Sequence, residues 1–201
     1  MKQRTRLWRP IITAAVLSGE LLALFGCTSQ ASGPSGATAT PVYSQETGKL
    51  EQLLSDSNGD GKVDTRAFMD GTLLKRIEID RNGDSRPDRV EHYAIAPLSR
   101  APMGFEIERA EEANGSDERI TRREVYERGS LVRVEEDTDG NGTTDKWEHY
   151  ERGVMTRIDL DLTARGTANR RMFYRRDGSV ERVEVDPEGR GDWQPLASER
   201  Q

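Results

Sequence analysis

One acid-rich loop recurs along this chain at nearly constant spacing, and that period limits the possible folds more than any other feature. Asp56-Ser-Asn58-Gly-Asp60-Gly61-Lys-Val-Asp64 is the first copy and Asp80-Arg-Asn82-Gly-Asp84-Ser-Arg-Pro-Asp88 the second. Asp137-Thr-Asp139-Gly-Asn141-Gly142-Thr-Thr-Asp145 is the most complete, and weaker copies begin at Glu112, Asp161 and Asp186. From first acid to first acid the chain runs 24 residues (Asp56 to Asp80), 25 (Glu112 to Asp137), 24 (Asp137 to Asp161) and 25 (Asp161 to Asp186). Only the step from Asp80 to Glu112 is longer, at 32, and it carries the insert Ala96 to Gly104. A fixed period of this length means that each unit is a small supersecondary element, stable only when its neighbours cover it.

Between the loops the pattern is that of strands. After a glycine come Thr72-Leu-Leu-Lys-Arg76-Ile-Glu78, Ser130-Leu-Val-Arg133-Val-Glu135, Val154-Met-Thr-Arg157-Ile-Asp159 and Ser179-Val-Glu-Arg182-Val-Glu184. The frame is aliphatic, any residue, Arg, an aliphatic residue, acid, with Arg always four places before the next loop acid. Alternation with β-branched residues reads as strand, and Arg and the acid two places on share a face, so ladders of Arg with Glu or Asp across strands are expected. Each loop is followed by a second segment bearing aromatics: Phe68, His92-Tyr93, Trp147-Glu-His149-Tyr150 and Phe173-Tyr174. Asp70-Gly71, Arg152-Gly153 and Asp177-Gly178 close the hairpins, since glycine tolerates the positive φ of tight turns. The fold class is therefore all-β: an antiparallel meander of repeated hairpins, some ten to twelve short strands, joined by Asp/Asn/Gly-rich loops.

The N-terminus is a targeting segment. Lys2, Arg4, Arg6 and Arg9 precede the apolar stretch Ile11 to Phe25, which ends at Leu24-Phe25-Gly26-Cys27. This run resembles a bacterial lipobox, which implies cleavage before Cys27 and acylation of that cysteine. Residues 1–26 are then a signal peptide, and 27–46, rich in Ser, Gly, Ala, Thr and Pro, a lipidated cysteine and flexible tether. Residues 47–201 form the hairpin-repeat domain. Thr28, where the lipoprotein inner-membrane retention signal would be Asp, implies the outer membrane. Cys27 is the only cysteine, so no internal disulfide can form. Without residues 1–26 the chain has 26 basic residues against 35 acidic ones, which excludes nucleic acid as a natural partner.

Oxygen-bearing side chains at alternate loop positions are what Ca²⁺ takes as ligands. In the third loop, positions 1, 3, 5 and 9 are Asp137, Asp139, Asn141 and Asp145, with Gly142 at position 6 and Glu148 at position 12. The second loop offers Asp80, Asn82, Asp84, Asp88 and Glu91, and the first offers Asp56, Asn58, Asp60 and Asp64. These loops resemble EF-hand loops, and the flanking strands make them more similar to thrombospondin type 3 and dockerin-like calcium repeats, and to bacterial lipoproteins built from Asp-rich hairpins. The resemblance implies Ca²⁺ as cofactor, with the residues just named as its ligands. The same Asp, Asn and Gly residues are also those that a tight turn selects for itself, so turn chemistry alone remains an open reading. The Asp161 and Asp186 loops carry Arg165 and Arg190 at ligand positions, where they would serve as built-in cations.

No nucleophile triad, phosphate loop or Cys-His cluster appears, and His92 and His149, the only histidines, are expected as half-buried strand residues. The expected protein is a non-enzymatic, membrane-anchored envelope lipoprotein acting as a Ca²⁺-stabilised structural or interaction module. Its partners would be the membrane through its lipid and an envelope protein or polysaccharide. A metal-free protein-binding repeat resembling MORN-like or immunity-type repeats is the alternative, and an envelope hydrolase using a carboxylate pair is a third reading.

Overall fold

The computed structural model describes residues 38–113 and 119–196. The signal segment, Cys27 and the Asn114 to Asp117 part of the weak Glu112 loop lie outside the described residues. Thirteen strands follow in chain order: β1 Thr38–Tyr43, β2 Leu50–Asp56, β3 Thr65–Asp70, β4 Leu73–Ile79, β5 Arg89–Ile95, β6 Phe105–Ala113, β7 Ile120–Glu127, β8 Ser130–Glu136, β9 Lys146–Glu151, β10 Val154–Leu160, β11 Arg170–Tyr174, β12 Val180–Val185 and β13 Gln194–Pro195. They form one sheet whose spatial order is the sequence order, every neighbouring pair antiparallel. The expected meander of hairpins is what the chain forms, one strand longer than the upper end of the expected range.

β1 lies inside the stretch read as tether, so the sheet begins at Thr38 and not near residue 47. Composition misled here. Thr40 and Val42 favour extended backbone, and Pro41 is tolerated because β1, among the described residues, is an edge strand paired with β2 alone.

The hairpin turns explain the recurrent glycines. Arg128-Gly129 and Arg152-Gly153 each place both central residues at positive φ, at 53° and 71° and at 52° and 77°. That is the signature of a type I′ turn, whose twist matches that of the flanking strands. Just inside each turn the register slips by one residue. Lys75, Glu108, Val132, Thr156 and Glu181 are the extra residues of β4, β6, β8, β10 and β12. The position that reads as "any residue" in the sequence frame is thus a β-bulge. It breaks the alternation, so Leu74, Ile107, Leu131, Met155 and Val180 face away from the arginines two places later.

With one layer, the described residues enclose no core. Ala96, Ala110 and Val134 are the buried apolar residues, whereas Asp64, Asp80, Glu124, Asp137, Asp159, Asp161 and Asp186 are all buried. What burial there is comes from side chains lying along the sheet, and the strands are held by backbone ladders and polar networks. One face carries the cross-strand pairs Tyr93 with Ile107, Tyr126 with Leu131, Tyr150 with Met155 and Tyr174 with Val180. The other carries Arg76, Arg109, Arg133, Arg157 and Arg182, alternating with His92, Val125, His149 and Phe173.

Candidate metal centre

Five loops share one construction. The first acid folds back over its own loop and accepts main-chain N–H groups. Asp137 Oδ1 accepts from Gly140 at 2.8 Å and Asn141 at 3.1 Å, and its Oδ2 accepts from Gly142 at 2.7 Å. Asp56 does the same with Gly59, Asp60 and Gly61. Asp80 accepts from Gly83 and Ser85, Asp161 from Thr163 and Gly166, and Asp186 from Arg190 and Gly191. To wrap so tightly the chain takes positive φ at loop positions 4 and 6, which are Gly140 at 74° and Gly142 at 91° in the Asp137 loop. Ser85 at position 6 of the second loop and Ala164 at position 4 of the fourth are forced into the same region, at 74° and 54°.

The remaining loop positions are tied in as well. Asp139 Oδ1 accepts from the Asn141 N–H, Asn141 Oδ1 from the Thr143 N–H, and Asp145 from the Thr138 N–H and hydroxyl. Asn58, Asp60 and Asp64 repeat this in the first loop, and Asn82, Asp84 and Asp88 in the second. Burial works against ionisation of Asp137, Asp161 and Asp186, but the N–H groups aimed at each hold its carboxyl below the usual range. In Asp64 the Ser57 hydroxyl is the main cause of the same downward shift.

Among the described residues, one loop gathers three acidic side chains. Asp137, Asp139 and Asp145 each present a carboxylate oxygen, all within 4.8 Å of one another. Asp137 is buried, Asp145 half-buried and Asp139 exposed. A carboxylate oxygen has capacity for a second partner beyond the N–H it already accepts, so this all-oxygen set fits a hard divalent cation. Such an ion would offset the repulsion of three clustered charges. The acids of the Asp56 and Asp80 loops make the same turn bonds without a comparable convergence. The Arg190 guanidinium does not sit on Asp186 but reaches Glu188 at 3.7 Å in solvent.

Glu91 and Glu148, expected at ligand position 12, belong to a different assembly. Position 12 is the third residue of the following strand, where the pleat turns its side chain onto the tyrosine face. Glu91 there accepts from Arg89 Nε at 2.8 Å and Tyr93 OH at 2.7 Å. Glu148 pairs with Lys146 Nζ at 2.8 Å and accepts from Tyr150 OH at 2.7 Å. Glu124 completes the series, accepting from Arg122 Nε at 3.2 Å and Tyr126 OH at 2.8 Å. Arg89 links this strand set, donating to Glu112 at 2.7 Å and Glu124 at 2.8 Å, and Lys146 donates to Glu136 at 2.9 Å. Burial, then the adjacent Glu148, pushes the Tyr150 phenol up to about 12, so it stays a donor. The sequence signal was present as cation, any, Glu, any, Tyr in Arg89–Tyr93, Arg122–Tyr126 and Lys146–Tyr150. In Arg89–Tyr93 and Lys146–Tyr150 a histidine between the acid and the tyrosine masks the pairing.

The histidines are half-buried, as expected. Arg157 donates to His149 Nε2 at 3.0 Å, and Asp159 Oδ2 lies 3.1 Å from the same nitrogen. Burial, then the Arg157 charge, holds this imidazole below its ordinary pKa.

No protein-family model matches the chain, and no curated protein matches it. Among solved structures, the crystal structure of accessory secretory protein 1,2 and 3 in Streptococcus pneumoniae is similar over 63% of this chain, at 13% identity and a TM-score of 0.27. The similarity spans 19% of that chain's length. The structure itself defines the class: a single-layer, antiparallel hairpin-repeat protein with capped acidic loops.

Proposed function

We propose that this chain is a non-enzymatic, lipid-anchored protein of a bacterial envelope, whose sheet is an interaction surface and whose Asp137 loop is stiffened by Ca²⁺. The observation that carries the cation is the convergence of Asp137, Asp139 and Asp145, in the loop with the fullest ligand pattern. Asp139 and Asp145 would hold the ion beside Asp137, and its chemistry would be neutralisation and fixing of the loop, so that binding adds directly to folding stability. Cys27 and the apolar stretch before it support the anchor. The test is thermal unfolding of the protein in EDTA, in millimolar Ca²⁺ and in millimolar Mg²⁺. A Ca²⁺-specific rise in midpoint that Asp139→Ala abolishes supports the site.

A metal-free, protein-binding repeat is the second reading. The Asp161 and Asp186 loops favour it, since they adopt the same capped turn with an arginine at a ligand position. An unfolding curve indifferent to Ca²⁺ would leave that reading in place.

A further inference from the structure

The arginine face departs from the acidic character of the chain. Between β2 and β12 its two central rows hold eight arginines (Arg66, Arg76, Arg109, Arg123, Arg133, Arg157, Arg171, Arg182) against five carboxylates. The carboxylates lie low: Glu78, Glu111, Glu135, Asp159 and Glu184 have side chains 9% to 23% exposed. The arginines that pair with them along the same strand stand above, 31% to 50% exposed. Aromatic rings help fix these guanidinium groups, with Arg76 over Phe68 at 4.2 Å and Arg182 over Phe173 at 3.4 Å. The row of Arg76, Arg109, Arg133, Arg157 and Arg182 itself contains no acid. Its neighbours His92, Val125, His149 and Phe173 make it a narrow cationic track, with a depression of about 340 Å³ between β8 and β11 whose lining includes His149, Arg157 and Phe173 and, at the turn-end rim, Glu151.

We infer that this track docks a linear anionic polysaccharide carrying carboxylates, a uronate polymer. The inference rests on the proposal that the sheet meets another envelope component, and it names that component and the face. Arginines on alternate strands are spaced about 9.6 Å apart, two interstrand gaps. A uronate chain in an extended two-fold conformation turns every second carboxylate to the same side, a repeat of two sugar rings and of similar length. An extended acidic peptide repeats its same-side groups every ~6.8 Å, and duplex DNA advances only ~3.4 Å of helix axis per phosphate of one strand, so neither keeps step with the row. Asp70, Glu106, Glu127 and Glu151 at the turn end, and the low carboxylates on the other side, leave room for one file of anions and oppose a broad anionic surface. The planar guanidinium fork suits bidentate capture of each carboxylate.

The experiment is calorimetric titration of the full chain, in detergent with EDTA at low salt, using polygalacturonate, with dextran and poly-L-glutamate as comparisons. Arg109→Gln with Arg133→Gln removes two exposed members of the track, and Arg165→Gln with Arg190→Gln removes the same charge elsewhere. Polygalacturonate is expected to bind and dextran not. The track double variant is expected to lose about tenfold or more in affinity, and the loop double variant less than about twofold. If the track double variant unfolds, Arg182→Gln alone serves, with an expected loss of about threefold. Absence of polygalacturonate binding, equal losses in the two double variants, or poly-L-glutamate binding as tightly would each overturn the inference, the last in favour of an acidic protein partner. Because the titration is run in EDTA, failure of the Ca²⁺ site leaves its outcome unaffected.

Discussion

Removing the Glu124 carboxylate should destabilise this protein more than any loss of an exposed ion pair. Glu124 is buried and accepts from Arg89, Arg122 and Tyr126. Burial opposes its ionisation, but Arg89 and Tyr126 more than compensate and hold its pKa below the ordinary value. Glu124→Ala leaves three donors short of an acceptor in a half-dry network, and breaking a buried pair from one side costs about 3–5 kcal/mol. Arg89 keeps Glu91 and Glu112, so the lower end, about 3 kcal/mol, is expected. Glu184→Ala, whose partner Arg182 is 50% exposed, should cost less than about 1 kcal/mol. Urea unfolding followed by tryptophan fluorescence compares the two at constant slope. A depressed carboxylate contributes stability that is present above its unfolded pKa and lost as pH falls through the folded one. Glu124→Gln should therefore also flatten the acid limb of stability against pH. If Glu124→Ala costs no more than Glu184→Ala, the idea that a polar network substitutes for a core is wrong.

Four further expectations are independent of the first. Ser85→Gly and Ala164→Gly relieve positive φ at loop positions where other copies have glycine, and each should gain about 1 kcal/mol, read as a rise of roughly 2–4 °C in midpoint. His149 is held neutral by burial and Arg157, so its contribution is complete above the unfolded pKa near 6.5 and lost as pH falls below that. The urea midpoint should therefore drop between neutral pH and about pH 5 in the parent protein and less in His149→Gln. Asp186→Ala should lower the midpoint in EDTA because its buried carboxylate caps Arg190 and Gly191, and Asp139→Ala in EDTA should lower it less because its bonds to Asn141 are exposed. In Ca²⁺ the parent should gain stability that Asp139→Ala does not, and a parallel gain in both would place the ion elsewhere.

Architecture was legible because the period, the Gly turns and the strand frame all agreed. One feature defeated the alternation rule. The bulge at Lys75, Val132, Thr156 and Glu181 moves the preceding aliphatic residue to the opposite face, and no residue type marks it in sequence. Expected cross-strand Arg–acid ladders exist, as in Arg171–Asp159 at 3.5 Å and Arg123–Glu111 at 3.8 Å, but pairs along one strand such as Arg76–Glu78 and Arg133–Glu135 are shorter, at 2.8 and 2.7 Å. Loop chemistry was half legible. The side chains named at positions 1, 3, 5 and 9 all lie in the loops, yet their hydrogen bonds are first to their own backbone. Position 12 failed because strand geometry, not loop geometry, decides where Glu91 and Glu148 point.

Among the described residues nothing closes this sheet: β1 pairs on one side only, and β13 covers just two residues of β12. Each hairpin, among the described residues, pairs only with those before and after it, so deleting or duplicating one leaves every other junction intact. Thirteen strands span roughly 58 Å and each added hairpin extends that by about 10 Å. The molecule is in this sense a ruler graduated in gene duplications, and its reach can change during evolution without redesign of any contact already made.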